Sequence, residues 1–133
     1  MGAGAIPVHI EKEFLEKAKG KYNINVYTAD MRYDGDDRIE VSAQGGHFIF
    51  APPRQLLFDY RLGNTTQDQF QKAYYKFLSE NYINHRHAWD SILDRKKIIL
   101  VCSCNAKGKD CHRYLVVNFL KKLGGVYRGE LKV

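Results

Sequence analysis

Three cysteines, Cys102, Cys104 and Cys111, fall within ten positions of one another, and the same stretch holds Asn105, Lys107, Gly108, Lys109, Asp110, His112 and Arg113. These residue types suit two kinds of chemistry. A thiolate is a nucleophile, and its pKa falls at a helix N-terminus or beside a cationic side chain. Cys102, Cys104 or Cys111 would then attack, with His112 as the proton shuttle. Lysines, an arginine and the free N–H groups of a helix start hold anions instead. Asp110 suits an N-cap, which puts Cys111, His112 and Arg113 in the first helical turn. Gly108 lets the backbone approach a ligand closely. Asn105, Lys107, Gly108, Lys109 and Arg113 are therefore the ligand-binding candidates of the loop.

Spacing limits the cysteine chemistry. Phosphatase-like loops place Arg six residues after the nucleophile, but Asp110 follows Cys104 at that distance and Gly108 follows Cys102. Cys102, Cys104, Cys111 and His112 are the right ligand types for zinc, yet the usual Cys-x2-Cys and His-x3-His pairs are absent. No metal is therefore assigned. The plainer alternative is packing: Cys is among the most buried residue types, and His112 and Arg113 can bond carbonyls or acidic groups across a domain.

The elements that must position this stretch are readable from pattern. Ile98-Ile99-Leu100-Val101-Cys102 is an unbroken, β-branched apolar run, the signature of a fully buried parallel strand. After the loop, Leu115, Val116, Phe119, Leu120 and Leu123 share one side of a helix ended by Gly124-Gly125. Asn23–Thr28 alternates as a strand; its end would bring Tyr27, Thr28 and Arg32 towards the loop. Lys12–Lys19 reads as a helix. Thr66-x-x-Gln69 fits a capping box, followed by Phe70, Ala73, Tyr74, Phe77 and Leu78 at helical spacing. Pro53 opens a helix carrying Leu56, Leu57 and Tyr60, which Gly63 stops. Ala88, Trp89, Ile92 and Leu93 mark another helix. The acidic stretch 29–46 is expected to be a loop with a short strand at Arg38–Ser42. Strands separated by helices predict a single α/β domain: a small three-layer Rossmann-like fold with a mostly parallel sheet flanked by helices, its core spanning about 22–130 after an N-terminal helix and tail.

Composition narrows the setting. Of 133 residues, 44% are hydrophobic, enough for a core and against global disorder. No apolar run nears the roughly 20 residues of a membrane span. The start lacks the basic and apolar regions of a signal peptide. An odd number of clustered cysteines argues against a disulfide framework. A cytoplasmic protein with no membrane partner is expected. The net charge of +6 is uneven: residues 95–133 carry ten Lys/Arg and two Asp/Glu, a net of +8, and the rest nets −2. A basic C-terminal third suits an anionic partner.

Cys102-x-Cys104, Cys111-His112-Arg113, Leu115, Lys122-Leu123-Gly124 and Tyr127-x-Gly129-Glu130 together resemble domain-of-unknown-function family 488. Val26-Tyr27-Thr28, Phe50-Ala51-Pro52, Leu56-Leu57, Tyr60, Gly63, Phe70, Tyr74 and Tyr75 extend the likeness over about Asn23–Glu130. The sequence departs from the family's commoner form where Ser103-Cys104-Asn105 replaces a Glu soon after the strand Cys. The resemblance implies a Rossmann-like fold, a ligand site at the strand-to-helix switch, and the bacterial or phage setting of short members. It implies no reaction.

Three functions are therefore expected to compete. The first is binding of a nucleotide, a phosphorylated small molecule or nucleic acid at 102–113. The second is a thiol-dependent enzyme on a nucleotide or nucleobase-like substrate. The third is a protein–protein adaptor using the tyrosine-rich surface. No cofactor is implied beyond the weak zinc pattern, and the sequence is silent on oligomeric state.

Overall fold

The side chains of Ile98, Ile99, Leu100 and Val101 offer no polar atom to water, so both faces of their strand must be covered. In the computed structural model, which describes residues 6–42, 45–102 and 112–132, all four are fully buried. They form β3 (Lys97–Cys102), an inner strand of a four-stranded sheet. Its companions are β1 (Asn25–Asp30), β2 (Arg38–Glu40) and β4 (Val126–Leu131), in the order β2-β3-β1-β4, all parallel. The helices are α1 (Val8–Ala18), α2 (Arg54–Arg61), α3 (Gln67–Asn84), α4 (Arg86–Leu93) and α5 (His112–Lys122). The chain is thus an α/β protein with a parallel sheet flanked by helices, the expected small Rossmann-like architecture.

One sheet face carries the larger core. Val26, Ile98, Leu100 and Cys102 meet side chains from all five helices there. Trp89 sits among the rings of Phe50, Tyr82 and Phe119, with centroids 5.0, 5.4 and 5.6 Å away. The capping box at the start of α3 forms as its sequence predicts. Gln69 N–H donates to Thr66 Oγ1 at 3.1 Å, and Thr66 N–H to Gln69 Oε1 at 2.8 Å. Phe70, Tyr74 and Leu78 point inward as expected; Ala73 is exposed, and the buried face continues to Tyr82.

The opposite face is covered differently. Ala29, Ile99 and Val101 are fully buried under Tyr27, Met31, Tyr33 and Leu131. Among the described residues, the third layer is therefore coil rather than helix. It comes from 31–37, which links β1 to β2 across the back of β3. A crossover between parallel strands ordinarily needs a dozen or more residues. Seven suffice here because β2 is only three residues long and starts level with Ile99. The acidic stretch is held in place by its own charges. Asp37 pairs with Lys97 at 3.1 Å and accepts from the Tyr33 hydroxyl at 2.5 Å, and Arg38 donates to the Tyr33 carbonyl at 2.9 Å. The strand expected at Arg38–Ser42 ends at Glu40, and β1 lies two residues beyond the expected Asn23–Thr28, because pairing with β3 runs from Asn25↔Lys97 to Asp30↔Cys102. The helix expected at Lys12–Lys19 is Val8–Ala18.

Two glycines set β4. Gly124 has φ +111°, and a Cβ there would lie 2.1 Å from the Tyr22 carbonyl oxygen. Its absence lets the turn after α5 close against the approach to β1, where Tyr22 N–H donates to the Leu123 carbonyl at 2.9 Å. Gly129, at φ +116°, belongs to a β-bulge: Val26 pairs with Tyr127, but Tyr27 pairs with Gly129, leaving Arg128 as the extra residue. Tyr127 and Glu130 are three apart and would face opposite sides of a regular strand. The bulge puts both on the face of Val26 and Thr28.

Candidate functional site

That shared face makes a polar cluster at the carboxyl edge of the sheet. Thr28, fully buried near the end of β1, has its Oγ1 2.6 Å from the Tyr127 hydroxyl and donates to Glu130 Oε1. A carboxylate only accepts and a hydroxyl has one proton. Thr28 therefore spends its proton on Glu130 and accepts from Tyr127, which gives the chain one direction, Tyr127 to Thr28 to Glu130. Burial pushes the Tyr127 phenol up, so it stays protonated and able to donate. The Tyr114 hydroxyl donates to the same Oε1 at 2.9 Å. Arg113, in the first turn of α5, donates to Glu130 Oε2 at 3.2 Å and lies over the Tyr114 ring at 5.0 Å from its centroid. The Arg113 side chain is 12% exposed and that of Glu130 37%.

Cys102 ends β3 and His112 begins α5, 4% and 3% exposed. His112 Nε2 lies 2.6 Å from the Val41 carbonyl oxygen. A carbonyl only accepts, so Nε2 carries the ring proton. Cys102 Sγ is 3.3 Å from Nε2 and 3.7 Å from Nδ1. The Tyr74 ring stands edge-on to the imidazole at 5.8 Å. Burial lowers the His112 pKa; the bond to Val41 opposes that, and Arg61 and Arg113 add to it. The ring is neutral at pH 7.

The sequence candidates thus divide. Cys102, His112, Thr28 and Arg113 converge at the carboxyl ends of β1, β3 and β4. Arg32 is at the same edge but exposed, its Nε paired with Asp30 Oδ1 at 3.0 Å. That bond and the Arg32 backbone N–H hold the Asp30 carboxyl below its ordinary value. Cys104, Asn105, Lys107, Gly108, Lys109 and Cys111 lie outside the described residues, as does the Asp110 N-cap. Of the zinc set, Cys102 and His112 are described; no group of three or more His, Cys, Asp or Glu placed to hold a metal occurs among the described residues. No described helix is long and apolar enough to cross a membrane.

Glu130, Tyr127, Tyr114 and the Val41 carbonyl were not among the candidates. Residue type gave no signal for them; the one trace was the Tyr127-x-Gly129-Glu130 pattern, whose glycine is the bulge.

No curated protein and no solved structure matches the chain significantly. A family model does: residues 49–124, more than half of the chain, match DUF488-N3a, described as the active DUF488-N3 subclade. The matched region runs from Ile49 through α5 and includes Cys102, His112 and Arg113; Thr28 and Glu130 lie outside it. By that match, together with the Cys-His-Arg at the strand-to-helix junction, the chain belongs to the DUF488 family.

Proposed function

We propose that the domain binds an anionic ligand, a nucleotide, phosphorylated small molecule or nucleic acid, where β1, β3 and β4 end and α5 begins. The observation that carries this is Arg113. It is held in the first turn of α5 by Glu130 and the Tyr114 ring, at the edge where open parallel sheets receive ligands. Glu130 balances the charge of Arg113, so the surplus positive charge must come from the adjoining Lys107 and Lys109, part of the basic C-terminal third. Isothermal titration of the full chain with inorganic phosphate, ribose 5-phosphate and nucleoside monophosphates tests the reading. Binding is expected, weakened at least about tenfold by Arg113→Ala, the equivalent of about 1.4 kcal/mol. No heat with any of these anions overturns it, and so does unchanged affinity in the variant.

A second reading is favoured by the Cys102–His112 contact and accords with the description of the subclade as active. In it, the neutral His112 takes the thiol proton at Nδ1, and Cys102 attacks a nucleotide or nucleobase-like substrate. Alkylation by iodoacetamide near pH 6, mapped by mass spectrometry, separates the two. The nucleophile reading requires Cys102 to react faster than a free thiol and to lose that advantage in His112→Gln. A slower Cys102 ends it.

A further inference from the structure

The hydrogen-bond capacity of Glu130 is nearly but not wholly spent. An ionised carboxylate has about four acceptor positions, two per oxygen. Thr28 and Tyr114 fill those of Oε1, and Arg113 takes one of Oε2. One position on Oε2 is left, on a side chain more than one-third exposed. The three donors fix the carboxylate in place, so a fourth donor from a ligand meets an oxygen that need not move. Because Oε1 is full, the carboxylate cannot accept a two-pronged contact of the kind a guanine edge makes. It takes a single donor.

Position narrows that donor. Oε2 lies 3.2 Å from the guanidinium of a first-turn residue of α5. A phosphate seated at that helix start keeps its esterified sugar within a few ångströms, while a base attached to the sugar is farther away. We propose that Glu130 is a specificity-determining residue that accepts a hydrogen bond from a sugar hydroxyl of a phosphorylated ligand, so that the site favours sugar phosphates carrying a free ring hydroxyl over those lacking one. This rests on the anion-binding reading above. It adds a residue outside the family match and a chemical class of ligand.

The carboxylate also explains why the bulge is needed. Without Gly129 at positive φ, Glu130 would turn to the far face and leave Thr28 and Arg113.

The test is isothermal titration of the full chain with inorganic phosphate, ribose 5-phosphate, adenosine 5′-monophosphate and its 2′,3′-dideoxy counterpart. The wild type should bind the hydroxyl-bearing nucleotide at least about tenfold more tightly than the dideoxy form. Ribose 5-phosphate against the nucleotide shows whether the base adds anything. In Glu130→Gln, an amide N–H replaces an acceptor; the dideoxy nucleotide should bind about as before and the discrimination should vanish. Tyr114→Phe keeps the carboxylate and should retain the discrimination, which leaves a working variant if Glu130→Gln fails to fold. Equal wild-type affinity for the two nucleotides overturns the role of Glu130 while leaving the anion site standing. No binding of any probe, inorganic phosphate included, removes the anion site and the proposal with it.

Discussion

Trp89→Ala is expected to cost about 3–5 kcal/mol of folding stability, the range for deleting a buried aromatic. Trp89 is fully buried, and its ring touches those of Phe50, Tyr82 and Phe119, which join α4 to α3, to α5 and to the turn before α2. Its Nε1–H donates to Asn81 Oδ1 at 2.9 Å. Alanine removes the contacts and leaves a void between elements whose backbones cannot all close onto it. Against a typical stability of about 5–15 kcal/mol, that is a large share. Trp89 is the only tryptophan, so unfolding should be followed by far-UV circular dichroism in urea rather than by fluorescence. Trp89→Phe should lose clearly less, because most of the ring volume stays. A change below about 1 kcal/mol for the alanine variant, outside the range for buried aromatics, would mean that these elements are not joined through the indole.

Thr28→Val should destabilise the protein by about 1–3 kcal/mol, although the two side chains have nearly the same shape. The threonine hydroxyl is the link that accepts from Tyr127 and donates to Glu130. Valine takes a donor from a carboxylate and an acceptor from a phenol at once, at a position with no water access. Thr28→Ser keeps the hydroxyl and should cost less than the valine variant. A double-mutant cycle with Tyr127→Phe should show a coupling of at least about 0.5 kcal/mol, because removing either partner spoils the same bond. If serine and valine cost the same, the methyl group and not the hydroxyl is what Thr28 contributes. Anion affinity should fall in Thr28→Val as well, since Glu130 then loses one of its three donors and Arg113 a well-placed partner.

What local sequence conveyed was what local physics controls. The apolar run of β3, the capping box of α3 and the helical spacing in α4 and α5 each appear where their pattern places them. Their cause lies within a few residues. Boundaries moved where pairing decided them, as in β1, whose ends are those of its contact with β3. The stretch 29–46 read only as an acidic loop, because nothing local says that a seven-residue coil will replace a helix as the cover of Ile99 and Val101.

The loop near Cys102–Arg113 follows a similar division. Residue types and the apolar strand before them located it at the carboxyl edge of a parallel sheet and marked Cys102, His112, Arg113 and Thr28 as members. Their partners were invisible. Val41 lies 71 positions from His112, and Glu130 lies 17 from Arg113 and 102 from Thr28. Strand alternation alone would have sent Glu130 to the other face from Tyr127. The sequence by itself determined the fold class, the basic C-terminal third and the place of the site. Tertiary structure decided which carboxylate completes it, because one extra residue in β4 reverses the direction of every side chain after it, and that reversal exists only relative to the strand it pairs with.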